Sequence, residues 1–99
     1  MDNGECTAIV AYEVAYEDRE RFLDSWEKAN RILKEQSGFV STALHEAISA
    51  SPEFRFVNIS RWDNADAFRA AMQNHDYQHA AARLAAFPVH ASAYEVVRE

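Results

Sequence analysis

The side chains best suited to chemistry lie in one short strand-like segment. Phe56–Trp62 reads FVNISRW, and strand alternation places Asn58, Ser60 and Trp62 on one face. A buried amide without a hydrogen-bond partner costs roughly 1 to 3 kcal/mol, and asparagine is depleted from strands. Asn58 therefore indicates either a satisfied polar network or a cavity that holds a ligand.

Two further polar residues are candidates for the same site. Placing the apolar Leu44 and Ile48 of the preceding strand on the same face as Val57 and Ile59 gives a register in which His45 faces the same side as Asn58. Arg83 reaches that space if the last helical segment folds back over the sheet. The ordinary alternatives are a packed tryptophan at position 62, a surface histidine and a solvated arginine, and packing is the commoner role for such a tryptophan.

Other kinds of catalytic site find little support. His75 and His79 are four residues apart, a spacing that can hold a metal on a helix, but His75 falls at a predicted helix break without an evident third ligand. Cys6 is the single cysteine and is expected to be a partly buried thiol. The sequence has no glycine-rich phosphate loop, Gly-x-Ser-x-Gly turn or Cys-x-x-Cys pair, so we expect no metal, flavin or nicotinamide site.

Composition limits the class of protein. The 99 residues fit one domain, residues 1–99, and the 48% apolar and 12% aromatic content indicates an ordered core. A net charge of −6 without a basic cluster argues against a nucleic-acid partner. The first residues do not resemble a secretion signal and no apolar run is long enough to span a membrane, so we expect a cytoplasmic protein.

Hydrophobic periodicity predicts the elements that position these residues. Their order is β-α-β-β-α-β, the ferredoxin-like α+β fold, with an antiparallel four-stranded sheet and helices on one face. The predicted strands are residues 7–16, 39–48, 56–62 and 89–97. The predicted helical segments are residues 19–36, a short helix that contains Ala65, Phe68, Ala71 and Met72 and is interrupted at residues 74–76, and residues 77–86. Asp18 and either Asp63 or Asn64 are the expected helix N-caps, and Gly38 is the expected left-handed cap after the first helix.

The helix-free face of the sheet also requires burial. Apolar residues occur on both sides of the strands, for example Val57 and Ile59 on one side and Phe56 and Trp62 on the other. A second copy of the chain is the simplest cover for such a face. We therefore expect a homodimer that is joined sheet to sheet.

The sequence resembles a known family over nearly its whole length. The segments that carry the resemblance are GFVS at residues 38–41, FVNISRW at 56–62, AF at 67–68 and AYEVV at 93–97. They are similar to the antibiotic biosynthesis monooxygenase domain, whose members form a dimeric α+β barrel. The resemblance is more specific for the fold than for the reaction, because the domain also includes haem-degrading enzymes.

Within this family, the chain looks most similar to the cofactor-independent, quinone-forming monooxygenases of aromatic polyketide pathways. Asn58 and Trp62 match an Asn-x-x-x-Trp pattern on the third strand, and His45 and Arg83 correspond to a histidine and an arginine of that branch. A tyrosine that members can carry after the tryptophan is Phe68 here, a position expected in the wall of the substrate pocket. The other expected wall residues are Trp26, Ser60 and Tyr77.

The resemblance implies that an aromatic metabolite, such as an anthrone or a quinol, is oxidised by dioxygen without a bound cofactor. The substrate loses a proton, and its electron-rich anion reduces dioxygen. Asn58 would donate a hydrogen bond to the developing oxyanion, and His45 would accept the proton. Trp62 would stack on the planar ring, and Arg83 would hold a peripheral oxygen or carboxylate.

Two alternative functions remain open. In the first, the chain is a non-catalytic dimeric module that binds a small hydrophobic metabolite. In the second, it binds or degrades haem. The haem-degrading branch is less similar, because the first strand lacks its asparagine and the position of its tryptophan is near Ala71 here. Its iron ligand falls at Ala80 or Ala81, so His79 is the nearest residue that could ligate iron.

Overall fold

The sheet and its helices follow the predicted order. The computed structural model describes residues 5–99. The strands are β1 (Cys6–Tyr12), β2 (Phe39–Glu46), β3 (Phe56–Trp62) and β4 (Val89–Tyr94), and the helices are α1 (Arg19–Leu33), α2 (Ala65–Met72) and α3 (His75–Ala81). Short 3-10 helices span Tyr16–Asp18 and Ala82–Ala86. The antiparallel strand order β2-β3-β1-β4, with the helices on one face, makes this a ferredoxin-like α+β fold.

Several elements are shorter than their sequence patterns predict. The first strand ends at Tyr12, where the chain turns into a 3-10 helix, and the last strand ends at Tyr94. The longest helix, α1, has 15 residues and ends at Leu33. Within residues 5–99, none of the helices combines the length and the apolar character needed to cross a membrane.

Short polar side chains set the starts of two helices. Asn64 Oδ1 accepts a hydrogen bond from the backbone N–H of the third residue of α2 at 2.8 Å, and Asn74 Oδ1 does the same for α3 at 2.9 Å. Asp18 occupies the N-cap position of α1, as expected, but its side chain makes no capping hydrogen bond. It is also the last residue of the preceding 3-10 helix, and its carboxylate lies 3.2 Å from the guanidinium of Arg21.

Gly38 joins α1 to β2 in a backbone conformation that other residues rarely adopt. Its φ is 82°, and a Cβ atom placed there would lie 2.5 Å from the Cβ of Ala67 on α2. We expect Gly38→Ala to lower the free energy of unfolding by about 1 to 3 kcal/mol, because the left-handed conformation alone costs about 1 to 2 kcal/mol. Chemical denaturation measures this, with Ser37→Ala as the control in the same loop. A variant as stable as the unaltered protein would contradict the strain argument.

The core lies between the sheet and the helices, in two clusters. In the first, the ring of Phe22 contacts those of Tyr12, Phe56 and Phe87 at centroid distances of 4.8, 4.6 and 5.3 Å. In the second, Trp62 is completely buried. Its buried partners there are Cys6, Leu33 and Ala71. Aromatic packing of this kind fixes α1 on the sheet and holds the strands that carry the candidate site.

The pairing of β2 with β3 differs from the prediction by one residue. Leu44 lies opposite Asn58, so His45 is on the helix-free face and not on the face of Asn58. The prediction assigned Leu44 and Ile48 to the helix-free face. Leu44 instead packs against the core, and Ile48 lies beyond the strand and is fully exposed. An irregularity at the start of β2 also shifts the register, which apolar alternation alone does not reveal.

Candidate functional site

A cavity of about 80 Å³ lies between the sheet and the helices, where the two core clusters meet. Strands β1, β3 and β4 form its floor, and the helices form its roof. The small side chains of Ala8 and Ala91 on the floor and Ala29 on α1 leave this space unfilled. The aromatic side chains of Trp26 and Phe68 lie in the wall. The cavity therefore suits an apolar, aromatic ligand, provided that polar groups in the wall fix its orientation.

The polar groups of the floor come from β3. Asn58 and Ser60 are buried, and both line the cavity. Thr42 Oγ1 donates a hydrogen bond to Asn58 Oδ1 at 2.9 Å, and Trp62 Nε1 donates one to Ser60 Oγ at 3.0 Å. The bond from Thr42 occupies the amide oxygen and leaves the amide N–H groups of Asn58 for the cavity. Asn58 is thus placed to donate a hydrogen bond to a ligand oxygen.

Asn30, on the roof, is a cavity residue that the sequence analysis missed. Helix α1 directs Trp26, Asn30 and Leu33 toward the cavity, and these positions follow the spacing of an apolar helical stripe. Asn30 Oδ1 is buried and has no hydrogen-bond partner within residues 5–99. The sequence contains a signal for this position. Asn30 is four residues after Trp26 and three before Leu33, so its amide lies on the same helical stripe.

Two tyrosines complete the polar lining. Tyr12 comes from β1 and Tyr77 from α3, and the sequence analysis did not select Tyr12. Burial raises the pKa of both hydroxyls, and the proximity of Tyr77 raises the pKa of Tyr12 further. Both are therefore neutral hydrogen-bond donors near neutral pH. They supply the cavity with the phenolic hydroxyls that Phe68 lacks.

The raised pKa of Tyr12 predicts a specific alkaline instability. A tyrosine whose pKa is higher in the folded state than in the unfolded state, where it is about 10, adds to the free energy of unfolding at any pH below the unfolded value. As the pH rises above that value, the hydroxyl ionises in the unfolded state first, and the added stability is lost. We expect the difference in unfolding free energy between the unaltered protein and Tyr12→Phe to fall by about 1.4 kcal/mol per pH unit above about pH 10. Denaturant titrations from pH 8 to 11 measure this. Tyr16→Phe, at an exposed tyrosine, is the control, and parallel curves for Tyr12→Phe and the unaltered protein would contradict the prediction.

Five of the predicted site residues lie together around the cavity. They are Trp26, Asn58, Ser60, Phe68 and Tyr77. Trp62 does not line it. Its indole is fully buried, and its ring contacts those of Phe39 and Phe68 at centroid distances of 5.4 and 5.8 Å. Trp62 therefore packs edge-to-face against two rings of the protein itself and orients Ser60 through its N–H, whereas the family resemblance implied that it stacks on the ligand.

Three other candidate residues lie away from the cavity. His45 is exposed on the helix-free face, where Nδ1 lies 3.3 Å from the carbonyl oxygen of Val57. Arg83 is exposed because the 3-10 helix Ala82–Ala86 turns its neighbour Leu84 into the core. His79 is exposed on α3. The expectation that His45 and Arg83 share a pocket with Asn58 is therefore wrong.

The described part of the chain does not fit the haem alternative. His79, the nearest candidate iron ligand, is exposed on α3 and is not among the residues that line the cavity. His75 begins α3 and is also exposed. Within residues 5–99, no group of three or more His, Cys, Asp or Glu side chains is arranged to hold a metal ion.

Comparison with known proteins gives a family match and a common fold. Residues 6–83 match the family model described as antibiotic biosynthesis monooxygenase. The cofactor-independent oxygenase SnoaB from Streptomyces nogalater is 21% identical, with a TM-score of 0.82 over 98% of this chain and 97% of SnoaB. A putative monooxygenase from Shewanella loihica PV-4 is 23% identical, with a TM-score of 0.83 over 97% of each chain.

A third solved structure shares the fold and is described as dimeric. This ferredoxin-like protein of unknown function from Bacteroides fragilis NCTC 9343 is 16% identical, with a TM-score of 0.77 over 97% of this chain and 100% of that one. No curated protein sequence matches the chain. At these levels of identity, the solved structures establish the fold alone.

Proposed function

The chain belongs to the antibiotic biosynthesis monooxygenase family, and on this basis we propose that it is a small monooxygenase that oxidises an anthrone-like aromatic metabolite with dioxygen and without a bound cofactor. One observation carries the proposal. Asn58 presents its amide N–H groups to an aromatic-lined cavity, while Thr42 holds the amide oxygen at 2.9 Å. A fixed donor of this kind stabilises negative charge that develops on a substrate oxygen.

The reaction balances without an external reductant. The methylene group of an anthrone supplies the electrons, dioxygen is reduced, one oxygen atom becomes the new carbonyl and the other leaves as water with the two methylene hydrogens. The reactive species is the substrate anion, formed when the methylene loses a proton. The protein positions this anion and stabilises its oxygen, since the substrate itself supplies the electrons that a cofactor would otherwise provide.

The cavity supports anion stabilisation better than proton abstraction by a side chain. The described residues that line it include no Asp, Glu, His, Lys or Arg. The neutral hydroxyls of Tyr12 and Tyr77 are donors, and His45 is on the opposite face of the sheet. We therefore assign the substrate proton to solvent, with Asn58 and the two tyrosines lowering the cost of ionisation by hydrogen bonding to the anion.

A substrate with fused rings requires the cavity to open. A volume of about 80 Å³ is below the roughly 150 Å³ at which a protein cavity takes up benzene. Trp26, Phe68 and Met72 line the cavity but are only partly buried, in contrast to Ala8, Tyr12, Asn58 and Ser60 on the floor, which are buried. Outward rotation of these three side chains enlarges the site without disturbing the sheet, and we assign to them the opening through which the substrate enters.

We also propose a homodimer joined through the helix-free face of the sheet. Ile9 lies between Ile59 and Ser92 in the middle of this face, and Val57 is beside it. These apolar side chains are only partly buried within one chain, and Tyr94 at the edge of the face is 52% exposed. The similarity to the Bacteroides fragilis protein, which is described as dimeric, also supports a dimer. Sedimentation tests it, since a stable monomer at micromolar concentration would contradict it.

Oxygen uptake by purified, metal-free protein tests the proposed activity. We expect addition of anthrone to start dioxygen consumption at a rate that rises in proportion to protein concentration and exceeds the uncatalysed rate at least a hundredfold. Heat-denatured protein is the control for trace metal and for spontaneous oxidation. Saturable binding of anthrone without any acceleration of oxygen uptake would instead identify a binding module and contradict the monooxygenase.

A further inference from the structure

Asn30 carries a polar atom whose partner the protein does not provide. Within residues 5–99, its Oδ1 is the buried side-chain oxygen that lacks a hydrogen bond, and the residue lies in the cavity wall. The hydroxyls of Tyr12 and Tyr77 line the same cavity but do not donate to it. A buried acceptor left unpaired carries a free-energy penalty that an apolar residue of similar size would avoid. Because Oδ1 is buried while the cavity is closed, a ligand reaches it only when the wall opens, and its position on an otherwise apolar stripe points to a partner that arrives with the ligand.

We infer that Asn30 accepts a hydrogen bond from a hydroxyl group of the ligand, so that the site selects a hydroxylated aromatic ring. This inference rests on the proposed function for the identity of the ligand as substrate. Asn30 projects from α1 on the roof and Asn58 from β3 on the floor. The two amides offer an acceptor and a donor on opposite walls. A ring that bears a phenolic hydroxyl toward one wall and a carbonyl or oxyanion toward the other satisfies both.

Such a pair of amides discriminates more strongly against a ligand that lacks the hydroxyl than an apolar wall discriminates against a ligand that carries it. A site that hydrogen-bonds a hydroxyl discriminates strongly against the analogue that lacks it, because the buried protein group is again left without a partner. An apolar wall would discriminate little between the two compounds. Asn30 is thus a specificity-determining residue that favours phenolic over unsubstituted rings, and it need not touch the carbon that is oxidised.

Equilibrium binding of naphthol and naphthalene tests this role without turnover. Quenching of tryptophan fluorescence reports binding, since Trp26 lies in the cavity wall. We expect Asn30→Leu to weaken naphthol binding about tenfold and to leave naphthalene binding unchanged or tighter. Equal effects on both probes, or no effect on naphthol, would overturn the inference. Neither probe is the proposed substrate, so this result stands apart from success or failure of anthrone oxidation.

The stability of the same variant separates a ligand-binding role from a structural one. If Oδ1 lacks a partner in the free protein, Asn30→Leu leaves the denaturation midpoint unchanged or raises it. A lower midpoint would mean that the amide stabilises the fold and would overturn the inference. Asn30→Ala, which cannot overfill the cavity, repeats the binding test if the leucine variant does not fold. Lys28→Ala, at an exposed position of α1, is the control for helix effects.

Discussion

Asn58→Ala should lower the rate of anthrone oxidation about a hundredfold. This corresponds to a loss of about 2.7 kcal/mol of transition-state stabilisation. The reason is the geometry of the amide. Thr42 fixes Oδ1 at 2.9 Å, so the N–H groups are aimed into the cavity before the substrate binds. Alanine removes the donor and leaves the oxyanion to solvent and the tyrosines. The loss should appear in kcat and kcat/KM together, because the bond strengthens as charge develops.

Three controls separate this role from a general loss of structure. Thr42→Val removes the bond that orients the amide but keeps the donor, so it should lower kcat less than Asn58→Ala does. Lys28→Ala should have no effect on either constant. Denaturation of each variant shows how much of the loss is unfolding, since Asn58 is buried. A rate for Asn58→Ala within threefold of the unaltered protein, in folded samples, would remove Asn58 from the chemistry.

Trp62 is expected to matter for stability far more than for catalysis. Trp62→Ala should lower the free energy of unfolding by about 3 to 5 kcal/mol, a large part of the 5 to 15 kcal/mol typical of a small domain. The indole is fully buried, contacts two aromatic rings and donates to Ser60 at 3.0 Å. Trp62→Phe keeps a ring and should cost about 1 to 2 kcal/mol while changing kcat by less than threefold.

Trp26 provides the matched comparison. It lines the cavity and is only partly buried, so Trp26→Phe should lower stability less than Trp62→Phe and raise KM about threefold or more. Thermal denaturation and steady-state kinetics on both phenylalanine variants measure the two effects. A tenfold loss of kcat in Trp62→Phe at unchanged stability would restore the stacking role that the family resemblance implies.

The sequence predicts the fold and half of the site because both follow from local periodicity. Alternation in β3 correctly places Asn58 and Ser60 together on the buried face. The four-three-four spacing of the apolar stripe on α1 directs Trp26 inward; the stripe consists of Phe22, Trp26, Ala29 and Leu33. Gly38 marks the turn after α1 correctly, since its positive φ is a local property of the backbone. These features need no knowledge of how distant segments meet.

The errors at His45 and Arg83 depend on how separate segments of the chain meet. The face on which His45 lies depends on the register of β2 against β3, which differs by one residue from the predicted one and includes an irregularity at the start of β2. A shift of one residue moves every side chain of a strand to the opposite face. Arg83 depends on the rotation of a 3-10 helix that Leu84 anchors in the core. Asn30 was missed for a different reason. Its spacing was readable, but only the cavity shows that its amide oxygen lacks a partner.

Oxidation of anthrone under heavy-isotope dioxygen tests the central proposal most directly. Mass spectrometry of the quinone should show one labelled oxygen atom for each product molecule and one dioxygen consumed, with product formation slowed about a hundredfold in Asn58→Ala. Unlabelled quinone incubated with the protein in labelled water measures carbonyl exchange. Product without the label, or labelled product formed at the same rate by the unaltered protein, by Asn58→Ala and in protein-free buffer, would contradict a monooxygenase built around Asn58.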